Sequence, residues 1–260
     1  MTEQFRIATW NVNSVRARLA NVLAWAERTR PDVLLLQELK TVEADFPHDA
    51  FTGLGYAVHA VGQKAYNGVA LLSREPAEVT ARALPGDDTD EQARYIEARV
   101  RGLRIASLYL PNGNPVGTEK FDYKLRWMAR LRAHAKALLA TEEPVVLGGD
   151  YNVIPAEEDV HDPAAWMGDA LFRPESRAEF RALLNLGYTD AFRALDDRPH
   201  QYTFWDYQAG RWHRDEGIRI DHFLLSPQAA DRLTACQIDR APRGEEKASD
   251  HTPVICTLSV

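Results

Sequence analysis

The run Asp32-Val33-Leu34-Leu35-Leu36-Gln37, continued by Glu38-Leu39-Lys40, decides the fold. Successive side chains of a strand point to opposite faces, so four consecutive apolar residues leave neither face for water, and the strand must be covered on both sides. Pro31, just before it, ends a helix read over residues 15–28, with Leu19, Val22, Leu23 and Ala26 on one face and Ser14 as its cap. Further upstream, Phe5, Ile7 and Thr9 alternate with Arg6, Ala8 and Trp10, which predicts a half-buried strand ending at Asn11.

Downstream, residues 56–61, 68–72, 79–83, 95–100 and 104–108 read as short strands, with turns at Gly62, Glu75-Pro76 and Gly102. Thr118 caps a long helix in which Phe121, Leu125, Met128, Leu131, Ala135 and Leu138 recur at steps of three or four. That helix reads as scaffold, and Pro144 restarts the chain into the strand Val145-Val146-Leu147. The second half reads as a loop over 154–172, a helix over 174–186, a short helix over 190–195, and strands near Tyr202 and over 219–225, 235–238 and 254–258. Helices and strands mix without strict βαβ alternation. Two mainly antiparallel sheets packed face to face with helices outside fit this better than a doubly wound parallel sheet.

No repeat, linker-like composition or single-sign charge block divides the chain, so residues 1–260 are expected to form one domain. The amino-terminal stretch has no basic segment followed by an apolar one, and no run of roughly 18 apolar residues offers a membrane span. A cytoplasmic enzyme is expected, with no membrane partner. Cys236 and Cys256 lack metal-type spacing and sit in apolar runs, the pattern of reduced, buried thiols. A net charge of -7 excludes a surface that binds nucleic acid all over. It leaves room for a local basic rim built from Arg16, Arg18, Lys40, Arg211, Arg214 and Arg243, each of which is equally readable as a solvated charge balanced by nearby acids.

Four polar clusters each follow an apolar run: Trp10-Asn11-Val12-Asn13, Gln37-Glu38, Gly149-Asp150-Tyr151-Asn152 and Ser249-Asp250-His251. Recurrent placement after strands points to one site assembled at a sheet edge, and carboxylates, amides and an imidazole are the groups that hold a hard metal ion and a phosphate. Glu38 is presented where a strand meets solvent, and it reads either as a metal ligand or as a strand-end acid paired with Lys40. Asp150 and Asn152 stand two apart, so on extended chain they point the same way and can address one phosphate.

Those clusters belong to a longer ordered set: Thr9-Trp10-Asn11-Val12-Asn13, Leu36-Gln37-Glu38-Leu39-Lys40, Asn67-Gly68-Val69-Ala70-Leu71-Leu72, Tyr109-Leu110-Pro111-Asn112-Gly113, Gly149-Asp150-Tyr151-Asn152, Arg219-Ile220-Asp221-His222 and Ser249-Asp250-His251-Thr252-Pro253. Nearly from end to end, the chain resembles the exonuclease III family of abasic-site endonucleases, within the endonuclease/exonuclease/phosphatase superfamily. The resemblance implies a four-layered α/β sandwich and a magnesium-dependent phosphodiester hydrolase, with manganese able to substitute. It implies Glu38 as principal metal ligand with Asn11 and Asp250 beside it, and a second metal position between Asp150, Asn152 and His251. Asp150 would orient or deprotonate the attacking water, Asn152 would donate to the phosphate, and Asp221 would hold His251 charged against a phosphoryl oxygen. Tyr109 would contact the scissile phosphate. Asn13 and Arg16 would bind substrate, and Phe204, Trp212, Ile218 and Ile220 would form a pocket for a flipped, baseless sugar. The implied partner is double-stranded DNA with abasic sites or blocked 3′ ends, met by a monomer associated with the nucleoid.

Two departures from the family pattern stand out. Ser14 occupies a position where glycine is common, and the 154–172 loop is acidic at Glu157, Glu158, Asp159 and Asp162. Rival readings fare worse. A headgroup phosphatase or phospholipase of the same superfamily resembles its relatives in a strand-end histidine where this chain has Tyr109, and in an apolar membrane-facing hairpin that is missing here. A non-catalytic DNA-binding relative would have lost some of Glu38, Asp150, Asn152, Asp221 and His251, and all are present. No Gly-x-Gly-x-x-Gly follows the first strand, which disfavours a dinucleotide-binding oxidoreductase.

Overall fold

The structure is a computed structural model and describes residues 3–260. Twelve strands form two six-stranded sheets. In the first, the order is β11 (Leu233–Ile238), β12 (Val254–Ser259), β1 (Gln4–Asn11), β2 (Val33–Gln37), β4 (Val69–Ser73) and β3 (Ala57–Val61). In the second it is β5 (Ala77–Ala81), β6 (Tyr95–Val100), β7 (Leu103–Tyr109), β8 (Val145–Asp150), β10 (Asp221–Leu225) and β9 (Thr189–Asp190). Each sheet is antiparallel except for one central parallel pair, β1 with β2 and β7 with β8. A parallel pair needs a crossover, and the two helices α1 (Leu19–Thr29) and α3 (Glu119–Leu139) supply it.

The apolar run of β2 is used as its sequence requires. Val33 and Leu35 enter the seam between the sheets with Phe5, Ile7, Ile96, Ile105, Val146 and Phe223. Leu34 and Leu36 face outward, against Val22, Trp25 and Ala26 of α1 and against Phe51 of α2 (His48–Thr52). On the far side, Ala106, Leu108, Leu147 and Leu224 pack on Trp127 and Leu131 of α3 and on Phe180 and Leu183 of α5 (Pro174–Asn185). The result is the expected sandwich of four layers, helix, sheet, sheet, helix. Gly148 lets the halves close: a Cβ there would lie 2.8 Å from Leu35 Cδ1 of the other sheet and 2.5 Å from the Phe223 ring of its own. No described helix is long and apolar enough to cross a membrane.

Several local readings are corrected. Ser14 does not cap a helix starting at residue 15. The backbone of Val12, Ser14 and Val15 donates to the carbonyls of Gln37, Glu38 and Leu39, which carries the β1–β2 pairing past the strand ends and delays α1 to Leu19. Ser14 adopts φ +89°, a conformation natural to glycine, which accounts for glycine being common at this place in the resembled family. Residues 191–195 form turns rather than a helix: Asp190 pairs with Leu224 of β10 and the Ala191 amide donates to Phe223 O, which holds the segment to the sheet. No strand forms at Tyr202; Phe204 makes only isolated bridges to Ile218 and His251. Arg219 and Ile220 stay outside β10, which starts at Asp221.

One buried carboxylate ties α3 to the second sheet. Glu97, only 1% exposed, accepts from Arg104 Nη1 at 2.8 Å, Tyr95 Oη at 2.6 Å and Thr80 Oγ1 at 2.7 Å, and it lies 2.8 Å from His134 Nε2 of α3. Burial opposes the charged form, but His134, Tyr95, Thr80 and Arg104 outweigh it and bring the carboxyl down to about 2 from an ordinary 4.5. A folded-state value below the unfolded one stabilises fully above about pH 4.5 and is lost as pH falls toward 2. The contribution at neutral pH is on the order of 3 kcal/mol. Glu97→Gln should therefore lower the Tm at pH 7 and flatten its dependence on pH below 4.5; parallel Tm curves for the two proteins would refute this account.

Candidate active site

All four polar clusters meet at one edge of the sandwich. Asn11 and Asp150 are the last residues of β1 and β8, Glu38 follows β2, Tyr109 ends β7, Asp221 begins β10 opposite Asp150, and His251 lies just before β12. Three of the linking residues sit in left-handed conformations, Asn13 at φ +44°, Glu38 at +53° and Asn152 at +47°. Asparagine tolerates this region, whereas glutamate enters it at a cost of roughly 1–3 kcal/mol, strain of the sort that gathers at functional sites. Below Glu38, Gln37 donates to Thr9 Oγ1 of the same sheet and to Ser107 Oγ of the other, at 3.0 and 3.1 Å, a polar bridge under the site.

Glu38 Oε1 accepts from Tyr109 Oη at 2.9 Å and from Asn11 Nδ2 at 3.0 Å, while Oε2 pairs with Lys40 Nζ at 2.8 Å. Burial works against its charge, but Lys40, Asn11 and the nearby His251 prevail and hold the carboxyl below the usual range. Asp150 takes Asn11 Nδ2 at 2.9 Å and the backbone N–H of Asn152 at 2.8 Å. Burial lifts it to about 7, against the attraction of His251 and with the help of Asp221. His251 Nδ1 lies 2.8 Å from Asp221 Oδ2, and its Nε2 lies 3.7 Å from Asp150 Oδ2. Burial would strip its proton, but Asp221 and Asp150 hold it and push the imidazole up to about 10. The second oxygen of Asp221 is buried without a partner. Tyr109 is raised well above its ordinary value by burial and by the charges of Glu38 and Asp150, so its hydroxyl keeps its proton.

One ligand atom each from Glu38, Asp150 and His251 lies within 4.8 Å of the others. Two carboxylates this close, with Asp250 also lining the cleft, are oxygen donors suited to a hard divalent cation. The third atom of this set is a His251 ring nitrogen. Asn11 differs from the expectation of an oxygen ligand. Its Nδ2 is turned to both carboxylates and its Oδ1 accepts from the backbone of Asn13, because two buried anions need N–H donors more than they need a third oxygen. Asn13 in turn donates to Asp250 Oδ1 at 3.1 Å and accepts from Lys40.

A cleft of ≈ 310 Å³ opens beside these groups. Its lining combines Glu38, Tyr109, Asp150, Asn152, Asp250 and His251 with the further acids Asp169 and Asp206 and an apolar set, Trp166, Leu171, Phe204 and Ile220. Phe204 packs edge-on against the His251 ring, with centroids 4.9 Å apart. Of the expected pocket residues, Phe204 and Ile220 are in place. Ile218 is 1% exposed and sits in the cluster behind the wall rather than in it. Trp212 is also a correction: it lies away from the cleft, edge-on to Trp205 at 4.9 Å and between the guanidinium groups of Arg240 and Arg243, so its polar sequence neighbours had marked a cation-stacked ring and not a pocket cap. Arg16 is exposed and takes no part in these bonds. Arg18 does, donating to Asn13 O and to Tyr207 Oη, both at 2.9 Å.

Trp166 and Leu171 come from the 154–172 loop. Several of its acids are engaged by local partners. Asp159 receives the buried Arg219 guanidinium at 2.7 and 3.1 Å, Asp162 caps the short helix α4 (Pro163–Trp166), and Asp169 accepts from Asn114 and from the Leu171 amide. Of the four acids noted in the sequence, Asp159 is buried while Glu157, Glu158 and Asp162 are exposed. The lone tryptophan in a polar loop was the available signal for the wall.

Comparison with known proteins gives the same answer from three directions. Residues 8–251 match the Endonuclease/Exonuclease/phosphatase family. The chain is similar to exodeoxyribonuclease III of Haemophilus influenzae, 33% identical with 96% of this chain and 98% of that one aligned. It is also similar to the DNA repair nuclease APEX1 of Danio rerio, 35% identical with 98% and 82% aligned. Among solved structures, an AP endonuclease from Archaeoglobus fulgidus superposes with a TM-score of 0.94 at 36% identity, covering 98% of this chain and all (100%) of that one. A 3′ phosphatase, NExo, from Neisseria, bound to a product DNA hairpin, superposes at 0.95 with 37% identity and the same coverage of 98% and 100%. The chain belongs to the endonuclease/exonuclease/phosphatase family.

Proposed function

We propose that this protein is a magnesium-dependent DNA repair hydrolase that cuts the phosphodiester 5′ to an abasic site, leaving a 3′-hydroxyl, and that it trims blocked or recessed 3′ ends with the same groups. The observation that carries this reading is the convergence of Glu38, Asp150 and the Asp221–His251 pair in a cleft that also presents the apolar side chains Trp166, Leu171, Phe204 and Ile220. A phosphate fits the first set and a sugar without its base fits the second. The relatives support the substrate class: one is named a DNA repair nuclease, one an AP endonuclease, and one is a 3′ phosphatase bound to product DNA.

Each group has a separate task. Asp150, near 7, is basic enough at neutral pH to take a proton from an attacking water, and Asn152 donates beside it. His251, held charged through Nδ1, directs Nε2 at a phosphoryl oxygen as negative charge grows there. Tyr109 keeps its proton and donates toward the phosphate or the leaving oxygen. Glu38, with Asp250 alongside, would hold a divalent cation, which would supply Lewis-acid stabilisation of charge on the phosphate; Mn²⁺ would serve in place of Mg²⁺. Trp166, Leu171, Phe204 and Ile220 exclude an intact nucleotide and admit the collapsed sugar of an abasic site. The working form is a cytoplasmic monomer.

Two duplexes assayed side by side, one with an abasic analogue and one with a recessed 3′ end, test the reading. With magnesium the first should be nicked 5′ to the lesion and the second shortened, and EDTA should stop both. Glu38→Ala should abolish the metal-dependent rate, and His251→Gln should lower kcat by roughly two to three orders of magnitude. Wild-type protein that leaves the abasic duplex intact in magnesium would sink the proposal. The Asp221–His251 pair has its own check by NMR titration of the metal-free protein. Removing the Asp221 charge takes away the chief group opposing burial, so in Asp221→Asn the His251 ring should titrate well below its wild-type value of about 10; an unmoved titration would rule the pairing out.

A further inference from the structure

Lys124, in the second turn of α3, is completely buried (0% exposed) beneath the site, although the helix otherwise reads as scaffold. Its Nζ donates to two backbone carbonyls, Pro111 O at 3.1 Å and Asn152 O at 2.6 Å. A methionine would fill the same volume without the cost of burying an amine, so the donors themselves need a reason. The two carbonyls supply it. β7 ends at Tyr109 and β8 at Asp150, so Pro111 and Asn152 lie just beyond the sheet, where no neighbouring strand can satisfy them.

These two chain segments carry amides that line the cleft. Asn112 Nδ2 donates to Asn152 Oδ1 at 3.2 Å, and Asn152 Nδ2 donates to Leu110 O at 2.9 Å. Asn152 holds its left-handed φ of +47° at the point where Lys124 grips its carbonyl. Gly113 leaves room for the lysine stem: a Cβ there would lie 2.5 Å from Lys124 Cδ, and its φ is +89°.

We infer that Lys124 is a positioning residue of the phosphodiester hydrolase proposed above, clamping the Pro111 and Asn152 carbonyls so that the Asn152 side chain faces the phosphate in one fixed arrangement. The role needs two N–H donors and not a net charge. Burial brings the ammonium down to about 7 against the pull of Asp150 and Asp169, and the neutral amine still has both donors.

The test is a double-mutant cycle on the magnesium-activated enzyme cutting an abasic duplex. Lys124→Met should lower kcat about 10- to 100-fold, the scale of an ångström-sized misplacement, with KM changed less than about threefold. In an Asn152→Ala background the same substitution should cost no more than about threefold, because the group it positions is already gone. A purely structural lysine would instead lower the active fraction equally in both backgrounds. Should Lys124→Met not fold, Gly113→Ala decides in its place, since it displaces the lysine stem from the other side and should show the same kcat loss and the same dependence on Asn152. A folded variant with kcat within twofold of wild type, or equal losses in both backgrounds, overturns the inference. Wild-type protein that does not cut the duplex would count against the proposed activity, whereas a wild type that cuts and variants that match it would count against Lys124 alone.

Discussion

The carboxamide of Asn11 joins the two halves of the molecule at the point where chemistry is possible. One of its N–H groups goes to Glu38, at the end of a strand of the first sheet, and the other to Asp150, at the end of a strand of the second. Two carboxylates from different sheets are thereby held in one hydrogen-bonded unit, and a slide of one sheet against the other would break it. The bridge from Gln37 to Ser107 one layer below imposes the same alignment, and Gly148 permits it by letting Leu35 and Phe223 close to contact. The position of the site is therefore a consequence of how the sheets are packed, and not of a loop folded over them.

That arrangement crowds negative charge where water is scarce, and the chain answers by dividing the carboxylates into two environments. Glu38 is matched by Lys40, Asn11 and the Tyr109 hydroxyl, and stays ionised. Asp150 is deeper, is repelled by Asp221, and is relieved chiefly by His251, whose proton is shared in effect between two acids. The first kind of carboxylate suits a permanent cation ligand, and the second suits a group that must gain and lose a proton. Environment separates two residues of the same chemistry into two roles.

Much of this was readable from sequence because strict local patterns produced it. The double-faced apolar run of β2 could only be interior, the three- and four-residue steps of α3 could only be a helix, and acids or amides following strands could only gather at a sheet edge. The failures share a cause as well. Ser14, the 190–195 segment and Trp212 were judged from neighbours in the chain, whereas each is governed by a partner distant in sequence: the carbonyl of Glu38, the strand beside β9, and the guanidinium groups of Arg240 and Arg243. Trp166, Leu171 and Lys124 escaped notice because nothing in their local pattern distinguishes a cleft wall from a loop, or a buried amine from an exposed one on the polar face of a helix.

The same distinction resolves the apparent conflict between a net charge of -7 and a nucleic-acid substrate. Internal pairs such as Glu97 with Arg104 and Asp90 with Arg130 cancel and leave that total unchanged, so its distribution over the surface decides. Beside the cleft, the groove that continues past Tyr109 and Asn112 is lined by Arg94 and Lys120, with amides and tyrosines, and has no carboxylate among its lining residues. Arg94 rests on the Tyr109 ring and donates to the Tyr109 carbonyl rather than to an acid. Phosphates close to the scissile bond would meet these groups within about one Debye length, while the distant acidic surface is screened at physiological salt. What governs approach along this groove is its local charge, set by Arg94 and Lys120, and not the net charge of the chain.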